Sequence, residues 1–124
     1  MIKLPKLVVI AAIAAGSFAY TAPANANEQL AISICEYTAA DDKSRLRNTL
    51  KSSRVKLRNI YDAILCNGNN LLRHAVASNA VDTGEFIVKN LSKSSLEDGA
   101  DIAWAEANHA GSALIPIIKD RAGL

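Results

Sequence analysis

The side chains of this chain that could do chemistry are two histidines, two cysteines, a few clustered acids and a run of bases. His74 and His109 each lack a second histidine three or four residues away. A metal site would therefore have to be assembled from His74, His109 and carboxylates on separate helices. Glu97, Asp98 and Asp101 lack the alternating ligands and turn glycine of a calcium loop. Acids there are accounted for by the first turn of a helix, where they complement its dipole, and His109 beside Gly111 fits a helix C-terminus for the converse reason. The chain has no Gly-x-Ser-x-Gly elbow and no glycine-rich phosphate loop. These patterns predict no metal, no cofactor and no catalytic residue. The alternative is a small hydrolase-like enzyme using His74 or His109.

The bases carry the positive signal. Lys43, Arg47, Lys51, Arg54 and Arg58 are spaced by four, four, three and four, which on a helix makes one stripe beside the apolar face. Residues 43–73 hold eight bases against the single acid Asp62. Residues 27–42 hold Glu28, Glu36, Asp41 and Asp42 and no base, and residues 74–124 hold seven acids against four bases. Such a stripe suits an acidic protein or an anionic envelope lipid. Nucleic acid is not expected, because Tyr61 is the one aromatic nearby on which a base could stack. The plain alternative is a solvated helix face, balanced across the molecule by the acids of 28–42 and 82–106.

The first 26 residues set the expected address. Lys3 and Lys6 precede an apolar run from Leu7 to Ala15, then Gly16-Ser17, Pro23 and the small-x-small site Ala24-Asn25-Ala26. This is the order of a secretory signal peptide, with cleavage expected between Ala26 and Asn27. The apolar run is shorter than the ~20 residues that span a bilayer, so no transmembrane segment is expected in the mature chain. No Arg-Arg pair precedes the run and no cysteine sits at the cleavage site, so neither twin-arginine export nor lipidation is indicated. Removing 26 of 124 residues leaves 98, enough for one small domain over 27–124, with 12 bases and 12 acids. The expected compartment is the periplasm, the alternative being secretion. Thiols are oxidised there, so Cys35 and Cys66 are expected to pair, the alternatives being a free buried thiol or an intermolecular bridge. There is no Cys-x-x-Cys spacing for redox catalysis.

The elements that must position these residues read as helices. Leu30, Ala31, Ile34, Cys35 and Thr38 recur at three- and four-residue spacing from Glu28 to about Ala40, and Asp41 or Asp42 caps the next helix. Leu46, Leu50, Leu57, Ile60, Tyr61 and Ile64 would share a face on one helix from Lys43 to Leu65, about 35 Å long at 1.5 Å per residue. That length conflicts with a bond between Cys35 and Cys66, whose Cα atoms must approach within ~7 Å. The segment must therefore fold back, and Ser52-Ser53 is the predicted break, giving a helix over 43–51 and a second element over 55–65. Val55 and Leu57 alternate with Arg54, Lys56 and Arg58, so that second element is helix or, alternatively, strand. Gly68 fits a left-handed helix stop, and Asn69 or Asn70 caps a helix over 70–79. Further helices are predicted over 84–91, from a Ser94/Glu97 capping box to Ala107, and over 113–118 with Pro116 in its first turn. The fold class is all-α, a small bundle or hairpin array of five to seven short helices with one disulfide.

The run from Ile60 to Ala75, with its Cys66-Asn67-Gly68-x-x-Leu71-Leu72-Arg73 core, resembles a family of small exported bacterial proteins known only as a domain of unknown function. Cys35 upstream and Thr83-Gly84-Glu85 downstream belong to the same likeness, which covers roughly residues 30–92. It implies an exported protein and supplies no activity, cofactor or catalytic residue. Gly68, Leu72 and Ala75, with Glu85-Phe86-Ile87-Val88-Lys89 after them, also resemble an ankyrin repeat, making ankyrin-like hairpins the alternative fold. The Thr-Pro pair of that repeat is missing and one unit is present where about three are needed. The functional expectation is a non-enzymatic exported interaction protein of the cell envelope.

Overall fold

The computed structural model describes residues 26–124. Apart from Ala26, the leader read at 1–26 lies outside the described residues. Seven α-helices occur in the order α1 (Ala26–Ala39), α2 (Lys43–Ser53), α3 (Leu57–Ile60), α4 (Leu71–Ala77), α5 (Val81–Asn90), α6 (Ala100–Asn108) and α7 (Leu114–Ala122). Short 3₁₀ turns occupy Tyr61–Ala63 and Lys93–Ser95, and no strand occurs among the described residues. The fold is all-α, and Cys35 is bonded to Cys66 with their Cα atoms 5.8 Å apart. The helices differ in length from 4 to 14 residues and share one cluster of buried side chains, rather than stacking as equal repeats.

Apolar spacing explains most of the packing. Leu46 and Leu50 are buried from α2, Leu57, Tyr61 and Ile64 from the next segment, and Leu71, Leu72, Ala75 and Val76 from α4. α5 is central, packing on α1, α2, α3, α4 and α7. Its own N-terminus has no local side-chain cap. Asp41, left-handed at φ 57° just after α1, supplies one from a distance: its carboxylate accepts from the Thr83 amide at 2.8 Å. The Thr83 hydroxyl donates to the Thr38 carbonyl at 2.9 Å, so two bonds tie the end of α1 to the start of α5. Next to Thr83, Gly84 faces the fully buried Leu114 of α7, and a Cβ there would lie 2.6 Å from one Leu114 methyl carbon. The Thr83-Gly84 pair thus holds three helices in register.

The predicted break at Ser52-Ser53 is displaced. Both serines remain in α2, which ends at Arg54 with φ 57° and ψ 39°. Arg54 N bonds Lys51 O at 3.1 Å and Val55 N bonds Leu50 O at 3.2 Å, the paired closure of a Schellman motif. Serine is only a mediocre helix former, whereas a closure that satisfies two terminal carbonyls stops the helix outright. The 55–65 element is neither the full helix nor a strand. One helical turn and a 3₁₀ turn keep Leu57, Tyr61 and Ile64 inside, and Ile64 is extended as the chain turns to meet Cys35.

Gly68 is likewise not a helix stop. Asn67 (φ 54°) and Gly68 (φ 84°) are the centre of a type I′ turn, in which Cys66 and Asn69 exchange backbone bonds of 2.7 and 3.0 Å. Asn70 caps α4 by accepting from Arg73 N at 2.8 Å, and Asp42 caps α2 through Arg45 N at 3.1 Å. The Ser94/Glu97 capping box does not form. Ser94 sits in a 3₁₀ turn with its hydroxyl 2.9 Å from that of Ser92, and Asp98 instead accepts from Ala100 N at 3.0 Å as α6 begins. The last helix runs on to Ala122 with Pro116 in its first turn, where a missing amide costs nothing.

Candidate anion-binding groove

The kink at Arg54 turns Val55 and Lys56 back beside α2 and sets α3 against α5. Between these pieces lies an open groove of about 300 Å³. Leu50, Val55, Leu57 and Phe86 line it with apolar surface, and Arg47, Lys51, Lys56 and Arg58 line it with charge. No carboxylate lines the groove. All four bases are exposed, and among the described residues none of them is ion-paired. Like charges that line one groove add their fields, and salt screens them with a length of ~10 Å at 0.1 M.

Of the five bases of the predicted stripe, the fold brings together Arg47, Lys51 and Arg58. Lys43 sits at the start of α2 in a depression lined also by Asp41, Asp42 and Asp82, where acids offset it, and Arg47 borders both that depression and the groove. Arg54 is the left-handed cap and does not line the groove. Lys56 is the addition. It falls outside the helical spacing, and the signal that would have found it is its alternation with Val55 and Leu57, which holds in the extended backbone at Lys56 (φ −101°, ψ 135°).

The histidines are placed elsewhere. His74 is half-buried on α4, its Nε2 3.1 Å from the Cys35 carbonyl oxygen, so it braces α4 against α1 beside the disulfide. His109 ends α6, its ring 5.4 Å from that of Trp104. Neither imidazole hydrogen-bonds a Ser, Asp or Glu side chain among the described residues. No group of three or more His, Cys, Asp or Glu among those residues is arranged to hold a metal ion.

Of the three acids near α6, Asp101 does most. It accepts from Arg73 Nε at 2.7 Å and Asn70 Nδ2 at 3.0 Å, locking α4 to α6, while the Arg73 guanidinium lies 5.4 Å over the Trp104 ring. Glu97 precedes the helix and is exposed. Tyr61 lies buried near this pair with its hydroxyl unpartnered. Burial pushes its pKa up and the Asp101 carboxylate adds to the rise, whereas the Leu72 amide pulls the other way without the geometry of a full hydrogen bond.

A family model for "Protein of unknown function (DUF3718)" matches residues 34–98. The chain belongs to this family. The DUF3718 region takes in both cysteines, the Asp41–Thr83 tie and every residue of the groove. α6 and α7 lie beyond the DUF3718 match, yet Ile102, Leu114 and Ile118 complete the same core. No curated protein and no solved structure matches the chain. Among the described residues no helix is long and apolar enough to cross a membrane.

Proposed function

We propose that this member of the DUF3718 family is exported to the periplasm and works in the envelope as a non-enzymatic binding protein, holding an anionic group of its partner in the groove between α2, α3 and α5. The observation that carries this reading is the convergence of four bases without ion pairs, drawn from three stretches of chain, on a groove with no acid in its lining. A solvated helix face would present bases along one helix with acids interleaved. Lys43, with three aspartates beside it, fits that description; Arg47 lies between that depression and the groove, and Lys51, Lys56 and Arg58 line only the groove. The hydrolase-like alternative requires a histidine activated by a side-chain partner, and the contacts of His74 and His109 are to a carbonyl and to a Trp ring.

Export is tested by fractionation and intact mass, with a mature chain beginning at Asn27 expected. Binding is tested by crosslinking in the envelope with wild type and with Arg47→Glu/Arg58→Glu. The double variant is expected to lose partners that wild type holds at low salt and releases as salt rises. Recovery of the same partners with the same salt dependence would remove the groove from consideration.

A further inference from the structure

Resting on the anionic-partner reading, we infer that the groove recognises an acidic protein segment built around one large apolar side chain, rather than a lipid surface. Two features decide between these. The first is that the apolar surface is concave and recessed: Leu50 and Leu57 are buried, while Val55 and Phe86 are half-exposed behind the basic rim. A bilayer is gained by side chains that project and insert, and peripheral binding grows with the apolar area so buried. The exposed large apolar residues among those described are Ile32, Leu65 and Leu124, and none of them lines the groove. A flat membrane would touch the four rim bases and leave the apolar wall facing water.

The second feature is size. A cavity of about 150 Å³ holds one benzene ring, so a groove of about 300 Å³ admits one aromatic or leucine-sized side chain and the backbone that carries it. An apolar side chain resting on Val55 and Phe86 places its neighbours in sequence at the rim. Arg47 and Lys51 come from α2, and Lys56 and Arg58 from the segment after the kink, so carboxylates flanking the anchor have bases from two elements to meet. Arginine's planar fork suits a carboxylate in two-point contact. Asn90 commits its amide nitrogen to the Phe86 carbonyl at 2.8 Å, which leaves its amide oxygen to accept from a peptide N–H.

The test uses the purified protein and three probes: a fluorescein-labelled Asp-Glu-Phe-Asp-Glu peptide with Gly-Ser flanks, the same peptide with Ser in place of Phe, and vesicles containing phosphatidylglycerol. The Phe peptide is expected to bind about tenfold tighter than the Ser peptide, the worth of one partly buried ring. Phe86→Ala, checked for fold by circular dichroism, is expected to erase that ratio by weakening the Phe peptide more than the Ser peptide. Equal binding of the two peptides, or binding of vesicles with none of the Phe peptide, would overturn the acidic-segment inference and leave the anionic groove standing. Failure of all three probes, or binding indifferent to Arg47→Glu/Arg58→Glu, would overturn the groove itself.

Discussion

Replacing Gly84 by Ala tests a close contact between α5 and α7. A Cβ at this position would lie 2.6 Å from one Leu114 methyl carbon and 3.1 Å from its Cγ, well inside van der Waals contact. Leu114, on α7, is fully buried. Overpacking of this kind costs about 1–3 kcal/mol. Against it stands the gain of Ala over Gly within a helix, about 1 kcal/mol. The net is a loss of about 1 kcal/mol, which for a domain near 100 residues lowers Tm by roughly 4–8 °C. Leu114→Ala alone should cost about 2–5 kcal/mol through the cavity it leaves. Combined, the new methyl enters that cavity, so the double variant should be more stable than the sum of the singles by about 0.5 kcal/mol or more. Thermal and urea melts of the four proteins decide it. A Gly84→Ala protein that melts higher than wild type, or strictly additive singles, would show that α5 and α7 do not meet through this glycine.

Removing the disulfide by Cys35→Ala/Cys66→Ala opens a loop of sequence separation 31 and should cost about 3–4 kcal/mol in urea unfolding on the chain-entropy model; a loss under 1 kcal/mol would contradict the pairing. Tyr61→Phe removes a buried, unpartnered hydroxyl and should leave stability at pH 7 unchanged or raised. Because the folded pKa of Tyr61 is raised, the stability tied to its neutral form is complete below the ordinary value of 10.0 and is lost as pH rises above it. Wild type should therefore weaken more steeply above pH 10 than Tyr61→Phe, and parallel curves would refute the burial of that hydroxyl. Arg54→Gly should stabilise by about 1 kcal/mol by relieving a left-handed non-glycine residue, whereas the same change at Ser53 should cost about that much; the reverse pattern would put the helix end back at the serines. Asp41→Ala should lose about 1 kcal/mol of capping for α5, and Asp41→Asn, which keeps the acceptor for the Thr83 amide, should lose less.

Much of the fold was legible because apolar spacing survives changes in helix type. Leu57, Tyr61 and Ile64 point inward whether the backbone is α, 3₁₀ or extended, so periodicity marked the buried set correctly while misjudging a continuous helix over 55–65. The disulfide conflict showed that the chain must reverse between the cysteines. It could not fix where, because a Schellman closure depends on the backbone bonds of Leu50 and Lys51 and not on a residue that advertises it; Arg occupies a place where Gly is usual. The Cys66-Asn67-Gly68-Asn69 turn was misread for a related reason. Asn-Gly suits both a helix stop and a type I′ turn, and the choice rests on whether the preceding residues are helical; here Ile64 is extended. Thr83 and Gly84 were visible as a motif, but their partners Asp41 and Leu114 are 42 and 30 positions away, beyond the reach of any local pattern.

Three of the four bases that line the groove, Arg47, Lys51 and Arg58, were nominated from the sequence, and Lys56 was not. Charge counting found the right stretch, and helical spacing found Arg47 and Lys51, because those two do share a helix. Extending the same spacing past Arg54 assumed a helix that ends there. Arg58 lines the groove although the stripe that nominated it does not exist, and Lys56 lines it although no stripe included it. Lys43 shows the opposite error: its spacing was right and its surroundings were not, since Asp82 reaches the same depression from a distant helix. What separates the proposed groove from a solvated stripe is thus a lining without a carboxylate. Such a lining is a property of the tertiary structure, and here the left-handed Arg54 turns the chain so that Lys56 and Arg58 come to lie beside Arg47 and Lys51.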